Sequence, residues 1–202
     1  MNNVNYDKKQ QEIINSLKSN SEKPTLLLHS CCAPCSTSCL ERLYPYFKID
    51  ILYYNPNIND AEEYYKRLTE QKRFILERYS GSINVLETTY SPNDFLAAIK
   101  GYENEKEGGK RCRICYELRL KETAIYAKEN GYNYFTTTLS VSPYKNAKWL
   151  NEIGESLEKL YGVKYLYADF KKGGGYLRST ELSKEYNLFR QDYCGCDFSK
   201  RK

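Results

Sequence analysis

TLLLHSCCAPCSTSCLERLYPYFKIDILYY, residues 25–54, places two apolar runs on either side of a cysteine-rich turn. Thr25–His29 reads as a short strand, and the stretch after Cys35 to about Tyr44 reads as a helix. Ile49–Tyr54 is a second strand, closed by the turn Asn55-Pro56-Asn57. Cys31 and Cys32 follow His29 directly, at the strand's carboxyl end.

The same alternation continues outward. Upstream, residues 8–17 read as an opening helix ended before Pro24. Downstream, Asp60 to Tyr79 has helical period with Asp60 as N-cap. Ile83–Thr88 is a third strand, Pro92–Lys100 a helix, and Gly101–Lys110 a polar loop. Arg111–Asn130 is a long amphipathic helix closed by Gly131, and Tyr134–Leu139 a fourth strand. Lys145–Leu160 is a helix, Val163–Ala168 a fifth strand, Gly173–Gly175 a flexible loop and Thr180–Tyr186 a short helix. The pattern predicts one α/β domain over residues 1–202, a mainly parallel five-stranded sheet flanked by helices in a Rossmann-like or HUP-like layout. An N-terminal helix within 1–23 and a cysteine-bearing tail over 187–202 flank it. Such sheets bind ligands beyond the carboxyl ends of their strands, where Cys31 and Cys32 lie.

A chain of 202 residues buries roughly 70% of the surface its unfolded form exposes, so it needs no crosslinks to fold. Its eight cysteines therefore call for another explanation. The first twenty residues contain no continuous apolar region of a secretory signal, and no run approaches the ~20 residues of a membrane span. A cytoplasmic setting without membrane attachment is expected, where clustered thiols bind metal or do redox work. An extracellular disulfide framework is the competing explanation. Net charge +5 and 21 tyrosines suit a nucleic-acid partner without requiring one.

Three cysteine doublets carry the chemistry: Cys31-Cys32, Cys112-Arg113-Ile114-Cys115 and Cys194-Gly195-Cys196. Cys112 and Cys115 sit three apart at the start of a helix, on one face. The helix's positive end, with Arg111 and Arg113, is expected to favour their thiolates. Two more thiolates complete the set for a zinc ion or an iron–sulfur cluster. Neighbouring Cys31 and Cys32 either turn together onto a multi-iron cluster or serve different metals. Cys194-Gly195-Cys196 would close a very small disulfide loop, and strained disulfides are the reducible ones. It suits a redox couple or a two-thiolate bite on a metal. Cys32-Ala33-Pro34-Cys35 also fits a thioredoxin-like motif, but that leaves Cys31 and two doublets unexplained. Cys39 is expected in the core, and His29, the only histidine, is read as structural.

HSCCAPC, YYNPNI, RCRIC, FTTTLSVSPYKN, DFKKGGGYLRSTEL and RQDYCGC, in this order from about Thr25 to Ser199, resemble the cobalamin-independent epoxyqueuosine reductase family, QueH. The resemblance implies reduction of epoxyqueuosine to queuosine at the wobble position of tRNA anticodons, with electrons from an unidentified donor. It implies a [4Fe-4S] cluster on Cys31, Cys32, Cys112 and Cys115, and a redox-active pair, Cys194 and Cys196. A second, mononuclear metal, iron or zinc, is implied beside the cluster. Cys35, where some relatives carry aspartate, is its candidate ligand together with Cys194 or Cys196; the division of cysteines between the two is left open. Candidate tRNA contacts are Lys145 and Asn146, Lys171, Lys172 and Arg178 against phosphates, and Tyr144 and Tyr176 for base stacking.

Two rivals are weighed. An ATP-dependent tRNA sulfur transferase needs a glycine-rich phosphate loop after the first strand, where this chain has SCCAPCS. A zinc-stapled RNA-binding protein would be colourless when purified anaerobically.

Overall fold

The computed structural model describes residues 4–18 and 22–200. Parts of the expected N-terminal helix region, residues 1–3 and 19–21, lie outside it, as do 201–202 of the tail. Five parallel strands form one sheet: β1 (Thr25–His29), β2 (Lys48–Tyr53), β3 (Asn84–Glu87), β4 (Tyr134–Thr137) and β5 (Lys164–Tyr165), in the order β3-β2-β1-β4-β5. Seven α-helices are present among the described residues: α1 (Tyr6–Leu17), α2 (Ala33–Leu43), α3 (Ala61–Tyr79), α4 (Pro92–Ala98), α5 (Lys110–Glu129), α6 (Ala147–Tyr161) and α7 (Gly175–Glu185). This is the expected α/β fold.

The consecutive apolar residues of β1 and β2 serve two cores. Leu26, Leu28, Ile49 and Ile51 pack on one face, with Leu40 and Leu43 of α2 and Phe74 of α3. Leu27 and Leu52 point to the other, with Leu120 of α5 and Leu150 of α6. The sheet is thus doubly wound, and strand order reverses between β1 and β4. At such a switch point the two following connections diverge to opposite faces and leave a crevice at the carboxyl edge.

Asp60 caps α3 as its sequence implied, its carboxylate accepting the Glu62 and Glu63 N–H groups at 2.9 and 3.2 Å. Most boundaries shift by one to three residues from the sequence expectation, and three of the differences have a clear local reason. The fourth strand stops at Thr137, whose side chain accepts the Leu139 N–H at 3.2 Å and turns Thr138–Val141 into a 3-10 helix. The fifth strand keeps only Lys164–Tyr165 in the ladder. Beyond it, Leu166 donates its N–H to Phe135 O, and the Asn151 side chain takes over hydrogen bonding at Ala168. Helix α7 starts at Gly175 rather than Thr180: a Cβ there would lie 1.9 Å from Phe170 O, so only glycine allows that close approach.

Candidate active site

The β1–α2 connection is pinned from several sides. Ser30 donates its N–H to Leu52 O at 3.1 Å, its hydroxyl to Gln71 Oε1 at 2.7 Å, and its carbonyl accepts Asn55 Nδ2 at 2.9 Å. Gln71 passes the network on to Ser36 Oγ at 3.0 Å. Across the switch point, Cys31 N–H reaches Thr138 Oγ1 at 3.5 Å. Helix α2 begins at Ala33 with Pro34 in its first turn, where the absent N–H costs nothing. Cys32 is extended and Cys35 lies within the first turn, so the three sulfurs of Cys31, Cys32 and Cys35 come within 4.8 Å of one another.

Three sulfurs so close cannot all be anionic without a cation. Hydrogen bonds from Cys32 and Cys35, reinforced by Arg119, hold Cys31 well below the ordinary thiol pKa. Donating to Cys31 raises Cys32 and Cys35 in turn. One thiolate flanked by two thiols is the protonation pattern of a soft-metal site: a cation that replaces the two protons recruits all three sulfurs. The donor set fits a metal ion.

The first and last cysteine segments meet at one cleft, a cavity of about 290 Å³ lined by Cys31, Cys32, Cys35, Arg119, Tyr193 and Cys194. Cys194, Cys196 and Cys115 share an apolar cluster with Phe95 and Ile99. Cys112 is half-buried at the start of α5, its sulfur accepting the Gly108 N–H at 3.2 Å. Cys112 and Cys115 stand outside the tight group formed by Cys31, Cys32 and Cys35.

Arg111 and Arg113, expected to act on the α5 cysteines, have other partners. Arg111 donates to the Glu103 and Glu105 carbonyls and lies 4.9 Å over the Phe198 ring, while Arg113 lies 5.6 Å over Trp149. Burial pushes the Cys115 thiol up, outweighing its neighbours. Cys39 is fully buried and donates to Cys35 O at 3.2 Å. His29 is buried too, and desolvation lowers its pKa to about 3. Its Nδ1 lies 2.8 Å from Thr137 Oγ1, and its Nε2 lies 3.1 Å from Tyr54 O and 3.2 Å from Arg119 Nε.

In the Cys-Gly-Cys segment the two thiols differ. Cys194 faces the cleft, whereas Cys196 is buried behind it. A hydrogen bond from Cys196, with Lys145 and Ser199 nearby, holds Cys194 well below its ordinary pKa, and Cys196 is raised in return. Ser199 Oγ lies 3.0 Å from Cys194 Sγ. Gly195 has φ +95°, and an added Cβ would sit 2.7 Å from Ile58 Cγ1 and 3.2 Å from an Arg67 nitrogen. Glycine is required twice over, for conformation and for space.

Tyr144, Lys145 and Tyr176 line the cleft. Burial opposes the charge of Lys145, but Cys194, Tyr116 and Cys115 outweigh it and raise its pKa. Tyr176 carries the Arg190 guanidinium 5.5 Å above its ring. The other candidates hold the fold: Asn146 caps α6, accepting Trp149 N–H at 3.1 Å, and Lys171 pairs with Asp169 at 2.7 Å. Arg178 binds Glu41 at 2.8 Å and Glu181 at 3.1 Å. Lys172 is exposed, its carbonyl accepting Arg42 at 2.9 Å.

Several site residues were not singled out from sequence. Asn55 ties Ser30 O to Arg119, and Asn57 donates to Cys194 O at 3.1 Å, so the Asn-Pro-Asn turn joins the first and last cysteine segments. Arg67, Arg119 and Arg190 line the cleft. Spacing alone held a hint of Arg119, which falls four residues after Cys115 and seven after Cys112, on one face of α5.

Fold and site together define a doubly wound α/β protein with a cysteine triad able to hold a metal at its topological switch point. The family model for QueH, epoxyqueuosine reductase QueH, matches residues 26–202. Relatives named epoxyqueuosine reductase QueH include one from Staphylococcus epidermidis, 45% identical over 98% of this chain and 86% of its own length. Another from Streptococcus pyogenes serotype M1 is 40% identical over 98% of this chain and 79% of that protein. A third, from Staphylococcus aureus, is 44% identical over 97% and 84%. The chain belongs to the QueH family.

Proposed function

We propose that this protein reduces epoxyqueuosine to queuosine in tRNA, removing the epoxide oxygen as water with two electrons and two protons. The observation that carries the chemistry is the shared cleft: sulfurs from residues near 31 and near 194 face one cavity beside half-buried Lys145. The family name of the relatives gives the substrate, and the cysteines support a reductive reaction.

Cys31, Cys32, Cys112 and Cys115 are the proposed ligands of a [4Fe-4S] cluster. Cys35, with Cys194 or Cys196, is the proposed ligand set of a second ion, iron or zinc. A cluster of this kind passes electrons one at a time, at a potential tuned by its surroundings. The grouping of Cys35 with Cys31 and Cys32 supports a metal in this loop. Cys194 and Cys196 suit a dithiol that stores two electrons: half-buried Cys194, which lines the cleft, exchanges and the buried Cys196 resolves.

On the substrate side, a base splayed out of the anticodon can stack on exposed Tyr144 or on the open face of Tyr176, whose other face carries Arg190. Lys145 and Lys172 are the proposed phosphate contacts. Asn146, Lys171 and Arg178, already engaged in the fold, shape the loops that present them.

The test is anaerobic purification with iron and sulfide analysis, followed by turnover of epoxyqueuosine-containing tRNA with a chemical reductant. Brown protein carrying iron and acid-labile sulfide, and queuosine in the tRNA, are expected. Cys35→Ala should lower iron content and turnover together, and Cys194→Ser should leave only background turnover. Colourless, zinc-loaded protein that binds tRNA without reducing it overturns the proposal. Cys35→Ala with full iron and full turnover removes Cys35 from the site.

A further inference from the structure

Arg119 is a buried cation without a buried anion. It stands one helical turn past Cys115 on α5, with its side chain 2% exposed. Its Nε donates to His29 Nε2 at 3.2 Å and its Nη2 to Asn55 Oδ1, both neutral acceptors. Among the described residues no carboxylate lies within ion-pair distance of it, whereas the other buried arginine of the cleft, Arg67, pairs with Glu63 at 2.6 Å. A buried charge left uncompensated is strongly destabilising, so something nearby must carry the balancing negative charge. The groups that remain are sulfurs: Cys115 on its own helix, and Cys31, which shares the cavity wall with it.

We propose that Arg119 is the positioning residue and counter-charge of the thiolate site, holding the β1 and α5 cysteines in register and raising the reduction potential of the centre they bind. This rests on the reading of those cysteines as metal ligands. The hydrogen bond to His29 ties α5 to the residue two places before Cys31, and the bond to Asn55 ties it to the turn that carries Asn57 and thereby Cys194. A fixed positive charge stabilises the more negative, reduced state of an anionic metal–thiolate centre, so its removal lowers the potential.

The experiment uses the full chain under anaerobic conditions with Arg119→Met, Arg119→Lys and Asn55→Asp. Metal-stripped protein is titrated with Co2+, read by thiolate-to-cobalt absorption, and the reconstituted cluster's midpoint potential is measured. Arg119→Met should weaken Co2+ binding at least tenfold and shift the potential negative, with Arg119→Lys recovering most of both. If Arg119→Met does not fold, Asn55→Asp, which neutralises the guanidinium in place, should shift the potential in the same direction. Wild-type affinity and potential in Arg119→Met, or a wild-type potential in Asn55→Asp, overturns the proposal. Arg119-dependent Co2+ binding in a protein that never reduces epoxyqueuosine would instead refute the proposed function and leave this inference standing.

Discussion

Gly195 shows how much chemistry rests on one missing side chain. Its positive φ and its contact with Ile58 and Arg67 bring Cys194 to the cleft and keep Cys196 behind it. Gly195→Ala should cost about 1–2 kcal/mol for the left-handed backbone and about 1–3 more for overpacking. The variant should melt at lower temperature and reduce its substrate more slowly, both measurable on the same preparation. A variant with unchanged melting would show that the tail adapts. The cysteines themselves were legible because thiols in doublets have few other uses. Arg119, Asn55 and Asn57 were not, since an arginine on an amphipathic helix and asparagines beside a proline usually mean surface and turn. Only the packing of α5 against β1 and the turn after β2 gives them their partners.

At the scale of elements, Glu41 ties three helices together. On α2, it accepts Arg178 of α7 through two nitrogens at 2.8 Å and Arg78 of α3 at 2.8 Å. The Arg178 guanidinium, with Arg78, holds its carboxyl below the ordinary value of 4.5. A depressed carboxylate stabilises the fold above its unfolded pKa and ceases to as pH falls through its folded value. Wild type should therefore melt above Glu41→Gln near neutral pH, and the two should converge on acidification below 4.5. Parallel melting curves down to pH 3 would remove this clamp from the stability of the α2 face. Sequence placed α3 and α5 well, since long stretches between a cap or turn and a closing glycine or turn declare themselves, and α2 to within three residues of its start. It overextended β4 and β5, whose ends are taken over by Thr137 and Asn151 side chains, and such side chain-to-backbone substitutions carry no periodic signal.

For the whole molecule, a net charge of +5 and a cleft rimmed by Lys145 and Arg190 set how it should meet RNA. Each phosphate contact to single-stranded RNA adds about 0.7 to the slope of log affinity against log salt. The KM for tRNA should rise steeply with salt, and Lys172→Ala should both raise KM and flatten that slope by about 0.7. A salt-independent KM would mean that base and loop contacts, not phosphates, carry the complex.

The cleft wall formed by Cys194 depends on a hydrogen bond from Asn57, 137 positions away in the chain. A contact that spans so much chain closes a long loop and carries a larger entropic cost than a local one. The segment after Leu188 contributes no residue to either large core, so it is expected to open at lower free energy than the sheet. The amide protons around Gly195 should accordingly exchange with solvent well before those of β1, as a separate opening unit. The fold would then expose and re-cover its sulfurs without unfolding, a built-in doorway for loading metal or admitting a bulky nucleotide.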